Sequence, residues 1–129
     1  MANAELDEKF VARQKERLEQ MRDELHRIQG RMRADEQDRA EQEEDFTEHD
    51  SGDMSRELFD REMDATIEQQ AGQRLGAVER ALEKIEEGTY GLSDESGDPI
   101  PEGRLEAAPE AVRTVDEQER YERERRPPV

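Results

Sequence analysis

The chain has no cysteine and no tryptophan, and its 129 residues include only three phenylalanines and two tyrosines. The absence of cysteine excludes disulfide bonds and any metal site built on thiolates. Hydrophobic residues make up 30% of the sequence and charged residues 44%. Too few apolar side chains are therefore available for a compact globule of this length, which leaves disordered chains and long helical hairpins as the classes that tolerate such a composition.

Long apolar runs and positive charge are also scarce. No stretch approaches the roughly 20 apolar residues that a membrane helix needs, and the first ten residues, MANAELDEKF, contain no signal-peptide core. The sequence carries 37 acidic and 20 basic residues, for a net charge of −17. Such a chain repels nucleic acid and anionic lipid, so we expect a cytoplasmic protein whose partner is another protein with a basic surface, without direct DNA, RNA or membrane binding.

The first half of the chain has the pattern of a long helix. Residues 4–44 contain no proline and a single glycine, and the apolar residues from Leu18 to Met32 alternate steps of three and four. This spacing is the heptad seam of a coiled coil. The seam residues are Leu18, Met21, Leu25, Ile28 and Met32. The sequence predicts a helix over about 4–44 with Asn3 as its N-cap.

A second helix is predicted over about 54–87, with Asp53 or Ser55 as its cap and Gly88 as a left-handed residue just beyond its end. Its apolar positions are Leu58, Phe59, Met63, Ile67, Leu75, Val78, Leu82 and Ile85. Between the helices, residues 45–53 are acidic and contain the turn-forming run HDSGD. We therefore predict an antiparallel coiled-coil hairpin over residues 1–87, in a monomer. Pairing of long helices between chains is the alternative, and the turn favours the hairpin.

Residues 88–118, called the knuckle below, hold four of the eight glycines and three of the five prolines. Two short extended pieces, 90–92 and 99–101, flank a turn and predict a tight β-hairpin. Gly97 is expected to adopt a positive φ within that turn.

The rest of the chain is predicted to be helical up to a short tail. Residues 104–108 can form one helical turn, and Pro109 can open a final helix over about 110–124. Val115 of that helix is expected to pack onto the knuckle. The second domain therefore covers residues 88–124, and the proline-rich end, 125–129, is predicted to be disordered.

Three motifs of this region resemble the DksA/TraR family of bacterial regulators that bind RNA polymerase. The motifs are KIEEGTYG, then G-x-P-I, then RLEAAPEA, in the family's register. The resemblance covers about residues 50–119. It implies a mainly α fold with a long antiparallel helical hairpin, a small zinc knuckle with four cysteines, and a C-terminal helix. The layout predicted from the pattern is the same.

The resemblance places the family's four cysteines at positions where this chain has Ser93, Ser96, Thr114 and Glu117. Serine and threonine hydroxyls are poor zinc ligands, because they stay protonated at neutral pH and are hard donors. We therefore expect a zinc-finger-like knuckle without zinc, held by a hydroxyl network in which Glu117 is the acceptor. A knuckle that becomes ordered only on its partner is the alternative. No other cofactor is expected, and a nucleotide such as ppGpp has no support in the residues.

The family's hairpin enters the secondary channel of RNA polymerase with an acidic tip, Asp-x-x-Asp-x-Ala. Asp50 and Asp53 match the two acids, and Ser55 replaces the alanine. The resemblance implies a transcription regulator whose tip approaches the polymerase active centre. Rim contacts are expected from Arg113, Arg120 and Arg123. We predict no enzyme, because carboxylates on solvated helices lack a pocket to tune their pKa. The alternative is a structural or adaptor coiled coil that kept the fold without regulating polymerase.

Overall fold

The computed structural model describes residues 6–45 and 51–125, with the side chains of 39, 42–45 and 51–53 left out. Its helices are α1 (Glu8–Asp45), α2 (Ser51–Glu87), α3 (Glu102–Ala107) and α4 (Val115–Arg125). The predicted mainly α class and the helical hairpin of α1 and α2 are confirmed. None of the described helices is long and apolar enough to cross a membrane.

The beginnings of α1 and α2 differ from the predicted ones. α1 begins at Glu8, because the Asp7 carboxylate accepts a hydrogen bond of 2.7 Å from the Phe10 amide and caps the helix there. The predicted cap, Asn3, lies outside the described residues. α2 already includes Ser51 and Asp53, so the predicted turn extends too far. Serine and aspartate suit the first turn of a helix as well as a loop, which is why the sequence pattern could not separate them.

The end of α2 is as predicted. Gly88 has a φ of 80°, and its amide donates to the Ile85 carbonyl at 3.3 Å. The Thr89 amide donates to the Lys84 carbonyl at 2.8 Å. These two bonds form a Schellman motif, which satisfies the last carbonyls of the helix and turns the chain into the knuckle.

The chain divides into two compact units, Met1–Arg22 with Gly76–Val129, and Asp23–Leu75. The core of the first unit combines the start of α1, the end of α2 and the knuckle. Its buried apolar side chains are Phe10, Leu18, Val78, Ala81, Tyr90, Ile100, Leu105, Ala111 and Val112. Leu18 and Val78 therefore lie in the seam as the heptad pattern predicted.

Among the described residues of the second unit, the buried seam residues are Leu25, Ala71 and Leu75. They lie at the end of the unit that is distant from the loop between α1 and α2. The earlier apolar residues of α2 lie outside the seam. Leu58, Phe59, Met63 and Ile67 are 46–60% exposed. The facing stretch of α1 offers mostly polar side chains, so the two helices enclose a shallow groove there. Its lining residues are Met32, Glu36, Ala40, Arg61, Asp64, Ala65 and Glu68.

The predicted β-hairpin of the knuckle is not formed. Residues 6–45 and 51–125 contain no strand, and one isolated antiparallel bridge pairs Leu92 with Pro99. Two bonds flank it, from the Ser93 amide to the Asp98 carbonyl (2.8 Å) and from the Ile100 amide to the Gly91 carbonyl (2.7 Å). Pro99 and Pro101 have no N–H group, so the ladder cannot extend. Gly97 has the predicted positive φ, at 77°.

The final helix begins at Val115, five residues later than predicted. Pro109 and Glu110 form a turn instead of the first helical positions. Val115 is 48% exposed, so its predicted packing onto the knuckle is also wrong. The late start has a local cause, a cap built on Thr114, described below.

Candidate functional site

The knuckle turn is organised by the Ser93 hydroxyl. Its oxygen accepts hydrogen bonds from the amides of Glu95 (3.0 Å) and Ser96 (3.2 Å). The Gly97 amide donates to the Ser93 carbonyl at 3.0 Å, and the Asp98 amide donates to the Ser96 hydroxyl at 3.2 Å. Serine hydroxyls stabilise tight turns in this way. Both serines therefore satisfy amides that the turn would otherwise leave without partners.

Thr114 and Glu117 form a capping box at the start of α4. The Thr114 amide donates to Glu117 Oε1 at 2.8 Å, and the Glu117 amide donates to the Thr114 hydroxyl at 3.3 Å. This reciprocal pair satisfies two amides that have no partner within the helix. It fixes the first residue of α4.

A hydrogen bond joins the turn to the capping box. The Ser93 hydroxyl donates to Glu117 Oε1 at 2.7 Å, and the Glu117 side chain is buried. This bond, together with the one from the Thr114 amide, holds the pKa of Glu117 at about 2, against the effect of burial. The Ser96 and Thr114 hydroxyls lower it further. We call these four residues the Ser93–Glu117 network; its hydrogen bonds are of the kind that the sequence predicted.

The depressed pKa of Glu117 predicts a loss of stability in acid. The carboxylate has a pKa of about 2 in the folded protein and 4.5 ordinarily. Its contribution to stability is therefore complete above pH 4.5 and is lost as the pH falls towards 2. We expect the stability difference between wild type and Glu117→Gln, measured by urea unfolding, to shrink from pH 7 to pH 3. A constant difference across this range would contradict the prediction.

Asp94, the residue after Ser93, ties the turn to α2. Its carboxylate pairs with Arg80 through two bonds of 3.0 Å and with Lys84 Nζ at 2.7 Å. The Lys84 side chain is 3% exposed. The paired Arg80 guanidinium, and then Lys84, hold the pKa of Asp94 at about 2. The bidentate geometry fixes both the distance and the orientation of the turn relative to the helix.

Replacing Asp94 with asparagine should destabilise the protein by about 2 kcal/mol, because the buried Lys84 ammonium loses its counter-charge. The partial exposure of Asp94 keeps the effect below that of a fully buried pair. Thermal unfolding followed by circular dichroism measures the change. Asp98→Asn, an exposed substitution in the same loop, is the matched control and should be neutral. Equal melting temperatures for the two variants would contradict the prediction.

A buried polar chain connects α1 to the knuckle. Gln14 Nε2 donates to the Tyr90 hydroxyl at 3.1 Å and to the Leu105 carbonyl at 2.7 Å. The Tyr90 hydroxyl in turn donates to the Pro109 carbonyl at 2.9 Å. Burial raises the pKa of Tyr90 to about 12, so the hydroxyl stays protonated and remains a donor. Every buried polar atom named here thus has a partner, which fixes one position of the knuckle on α1.

Arginines gather on one side of the knuckle and α4. Arg113 and Arg120 both pair with Glu95, at 3.3 Å each. The guanidinium carbons of Arg113 and Arg125 lie 3.9 and 4.1 Å from the centre of the Tyr121 ring, within cation–π range. Arg113 and Arg120 are thus brought together by one carboxylate. Arg123, the third predicted rim residue, is exposed on α4.

The predicted tip residues are only partly described. Asp50 lies outside the described residues. Asp53 belongs to α2, but its side chain lies outside the described part. Ser55 is exposed on the same helix. The roles of these residues stay predictions.

Sequence reasoning missed Gln14, Arg80, Lys84 and Asp94. Arg80 and Lys84 are four residues apart and therefore share a helix face, which is the one signal available for them. Nothing in the sequence relates that face to Asp94, and nothing singles out Gln14 among the many glutamines of the helices.

Comparison with known proteins identifies this arrangement. Residues 88–123 match the prokaryotic dksA/traR C4-type zinc finger. By sequence, the knuckle is therefore a DksA/TraR-type zinc finger domain. It is 35% identical over 77 residues to the RNA polymerase-binding transcription factor DksA of Caulobacter vibrioides, and 43% identical over 61 residues to the uncharacterized protein YteA of Bacillus subtilis. The structure of the transcription factor DksA2 from Pseudomonas aeruginosa superimposes on this chain with a TM-score of 0.65 and 27% sequence identity. The superposition covers 93% of this chain and 89% of the DksA2 chain.

The sequence matches to these relatives are partial. The C. vibrioides alignment spans 60% of this chain and 54% of that DksA, and the B. subtilis alignment spans 47% of this chain and 26% of YteA. The chain thus spans about half the length, or less, of the curated relatives that it matches.

The zinc ion that the family implies does not fit the residues of the Ser93–Glu117 network. The four positions offer three hydroxyls and one carboxylate, and Glu117 Oε1 already accepts two hydrogen bonds. Zinc requires soft or nitrogenous donors, in a closed set of four, for a structural site. The described ranges contain no group of three or more histidine, cysteine, aspartate or glutamate side chains suited to a metal.

Proposed function

We propose that this chain is a transcription regulator that binds RNA polymerase through the secondary channel and its rim. The match of residues 88–123 to the DksA/TraR zinc finger supports the proposal, and the C. vibrioides relative is itself an RNA polymerase-binding transcription factor. The excess of acids over bases suits a basic channel. The proposed location is the cytoplasm, where bacterial polymerase works, and the proposed action is regulatory binding without catalysis.

Within this proposal, the loop between α1 and α2, together with the first turn of α2, is the end that acts on the polymerase. Asp50 and Asp53 would approach the active centre and alter the stability of the open complex. The arginines near Glu95, Arg113 and Arg120, would contact the rim together with Arg123. The pairing of two of them with one carboxylate supports this role, because the pairing holds their guanidinium groups on one side of the knuckle.

Direct binding to purified RNA polymerase tests the proposal. The full chain should compete with a known secondary-channel ligand and should show saturable binding that weakens with added salt. The alternative, an adaptor coiled coil with the family fold, predicts no binding to the purified enzyme. The missing cysteines and Ser55 favour that alternative, so the absence of binding would decide in its favour.

We further propose that the knuckle works without a metal ion. The Ser93–Glu117 network supports this, since it joins the turn of residues 93–97 to the start of α4 through hydrogen bonds alone. A structural zinc can contribute on the order of 10 kcal/mol in small domains, so its loss requires such compensation.

Metal removal should therefore leave the protein unchanged. We expect the same melting temperature, within about 1 °C, with and without excess chelator, because no thiolate or imidazole site depends on a cation. Elemental analysis of the purified protein should find less than about 0.1 zinc per chain. A chelator-induced drop in melting temperature would overturn the proposal.

A further inference from the structure

An apolar stripe, formed by Phe59, Met63 and Ile67, lies exposed on α2. These side chains are 60, 51 and 46% exposed. They are four residues apart, so they line one face of the helix. Among the described residues, large exposed hydrophobic side chains are otherwise found only at Met54, Leu58 and Val115. In a chain that is only 30% hydrophobic, this concentration on one helix face needs a reason.

The stripe faces away from the partner helix. The α2 residues that line the groove toward α1 are Arg61, Asp64, Ala65 and Glu68. At 3.6 residues per turn, the centre of this set and the centre of the stripe are roughly 150° apart around the helix. α2 therefore presents mostly charged residues to α1 and its apolar residues outward, the reverse of the usual order for a surface helix. The stripe is not an extension of the hairpin seam.

The surroundings of the stripe indicate what covers it. Residues 54–68 contain five acids and two arginines, and the whole chain has a net charge of −17. Two copies of the chain would repel each other because both are strongly acidic. The surface area of three side chains is also far below the roughly 800 Å² that each partner buries in a stable dimer. Nucleic acid and anionic membrane are repelled in the same way. Charge complementarity therefore selects a protein groove with an apolar floor and a lysine- or arginine-rich border.

We propose that the apolar stripe of α2 docks into such a basic-bordered apolar groove on the regulated enzyme, as a contact separate from the loop between α1 and α2. The inference rests on the proposed function, since it takes RNA polymerase as the partner. Apolar side chains buried at the centre of a contact, with charges at its border, contribute most to affinity, whereas the charges contribute mainly to the rate of association.

The triple variant Phe59→Gln, Met63→Gln, Ile67→Gln tests the inference in the full chain. Glutamine keeps helix propensity and length while removing the apolar surface. We expect its Kd for purified RNA polymerase to rise by at least about tenfold. Helicity, melting temperature and solution mass should stay those of the wild type, because the three side chains are exposed. Val115→Gln, an exposed apolar residue outside the stripe, is the matched control and should bind like the wild type.

Four results would overturn the inference. Equal affinities of wild type and triple variant would show that the stripe is not a contact, while leaving the proposed function in place. A large drop in melting temperature of the variant would show that the stripe is internal core. A wild-type dimer that becomes monomeric in the variant would identify a second copy as the occupant. No wild-type binding to polymerase would remove the proposed function and the inference with it.

Discussion

Replacing Glu117 with alanine is expected to destabilise the protein by about 3–4 kcal/mol. The substitution removes the acceptor of two hydrogen bonds, from the Ser93 hydroxyl and from the Thr114 amide. It also removes one half of the capping box that starts α4. Because the site is buried, water cannot fully replace the lost acceptor, and each unpaired donor costs about 1–3 kcal/mol.

The neighbouring residue supplies the control for this prediction. Asp116 lies in the same first turn of α4 and is exposed, so Asp116→Ala changes the helix-dipole interaction and net charge equally without touching the Ser93–Glu117 network. Urea unfolding gives the global stability, and amide hydrogen exchange at residues 93–98 reports on the turn itself. If the two variants have the same stability and the same exchange protection, the network does not hold the knuckle.

Replacing both Asp50 and Asp53 with asparagine is expected to abolish the effect on transcription, while the affinity for RNA polymerase changes by less than about threefold. The proposal gives these two carboxylates the contact with the active centre, and gives the stripe and the rim arginines most of the binding energy. Removing the charge while keeping the side-chain shape should therefore separate regulation from binding. Initiation with purified components and the lifetime of the open complex provide the two measurements.

A pair of acids elsewhere on the hairpin controls for the change in net charge. Asp35 and Asp38 are also three residues apart and are exposed on α1. The variant with asparagine at both of these positions should regulate like the wild type. If the Asp50 and Asp53 variant also regulates like the wild type, the proposed action of the loop is wrong, even if binding to polymerase is confirmed.

The start of α4 shows how a local signal can be present in the sequence and still be misread. Thr114 and Glu117 have the spacing of a capping box, which alone predicts a helix beginning at Val115. The family resemblance assigns the same two positions to the zinc ligands, and Pro109 predicts an earlier start of the helix. Thr114 and Glu117 form the cap, and their correspondence to zinc-ligand positions stays a prediction.

Features that depend on neighbours a few residues apart could be predicted from the sequence. The heptad spacing predicted the two long helices, Gly88 predicted the end of α2, and three short motifs predicted the family. These follow from backbone geometry and side-chain periodicity, which act within one or two turns of chain. The predicted β-hairpin was wrong for an equally local reason, the missing amides of Pro99 and Pro101.

Contacts between distant groups could not be predicted from the sequence and are seen only in the folded chain. It joined Ser93 to Glu117 across 24 residues and Gln14 to Tyr90 across 76. It also turned the Phe59 face of α2 outward, although the residue pattern there suits a seam. Such contacts depend on the position and rotation of whole helices, which the summed packing of the core fixes and no single stretch of sequence encodes.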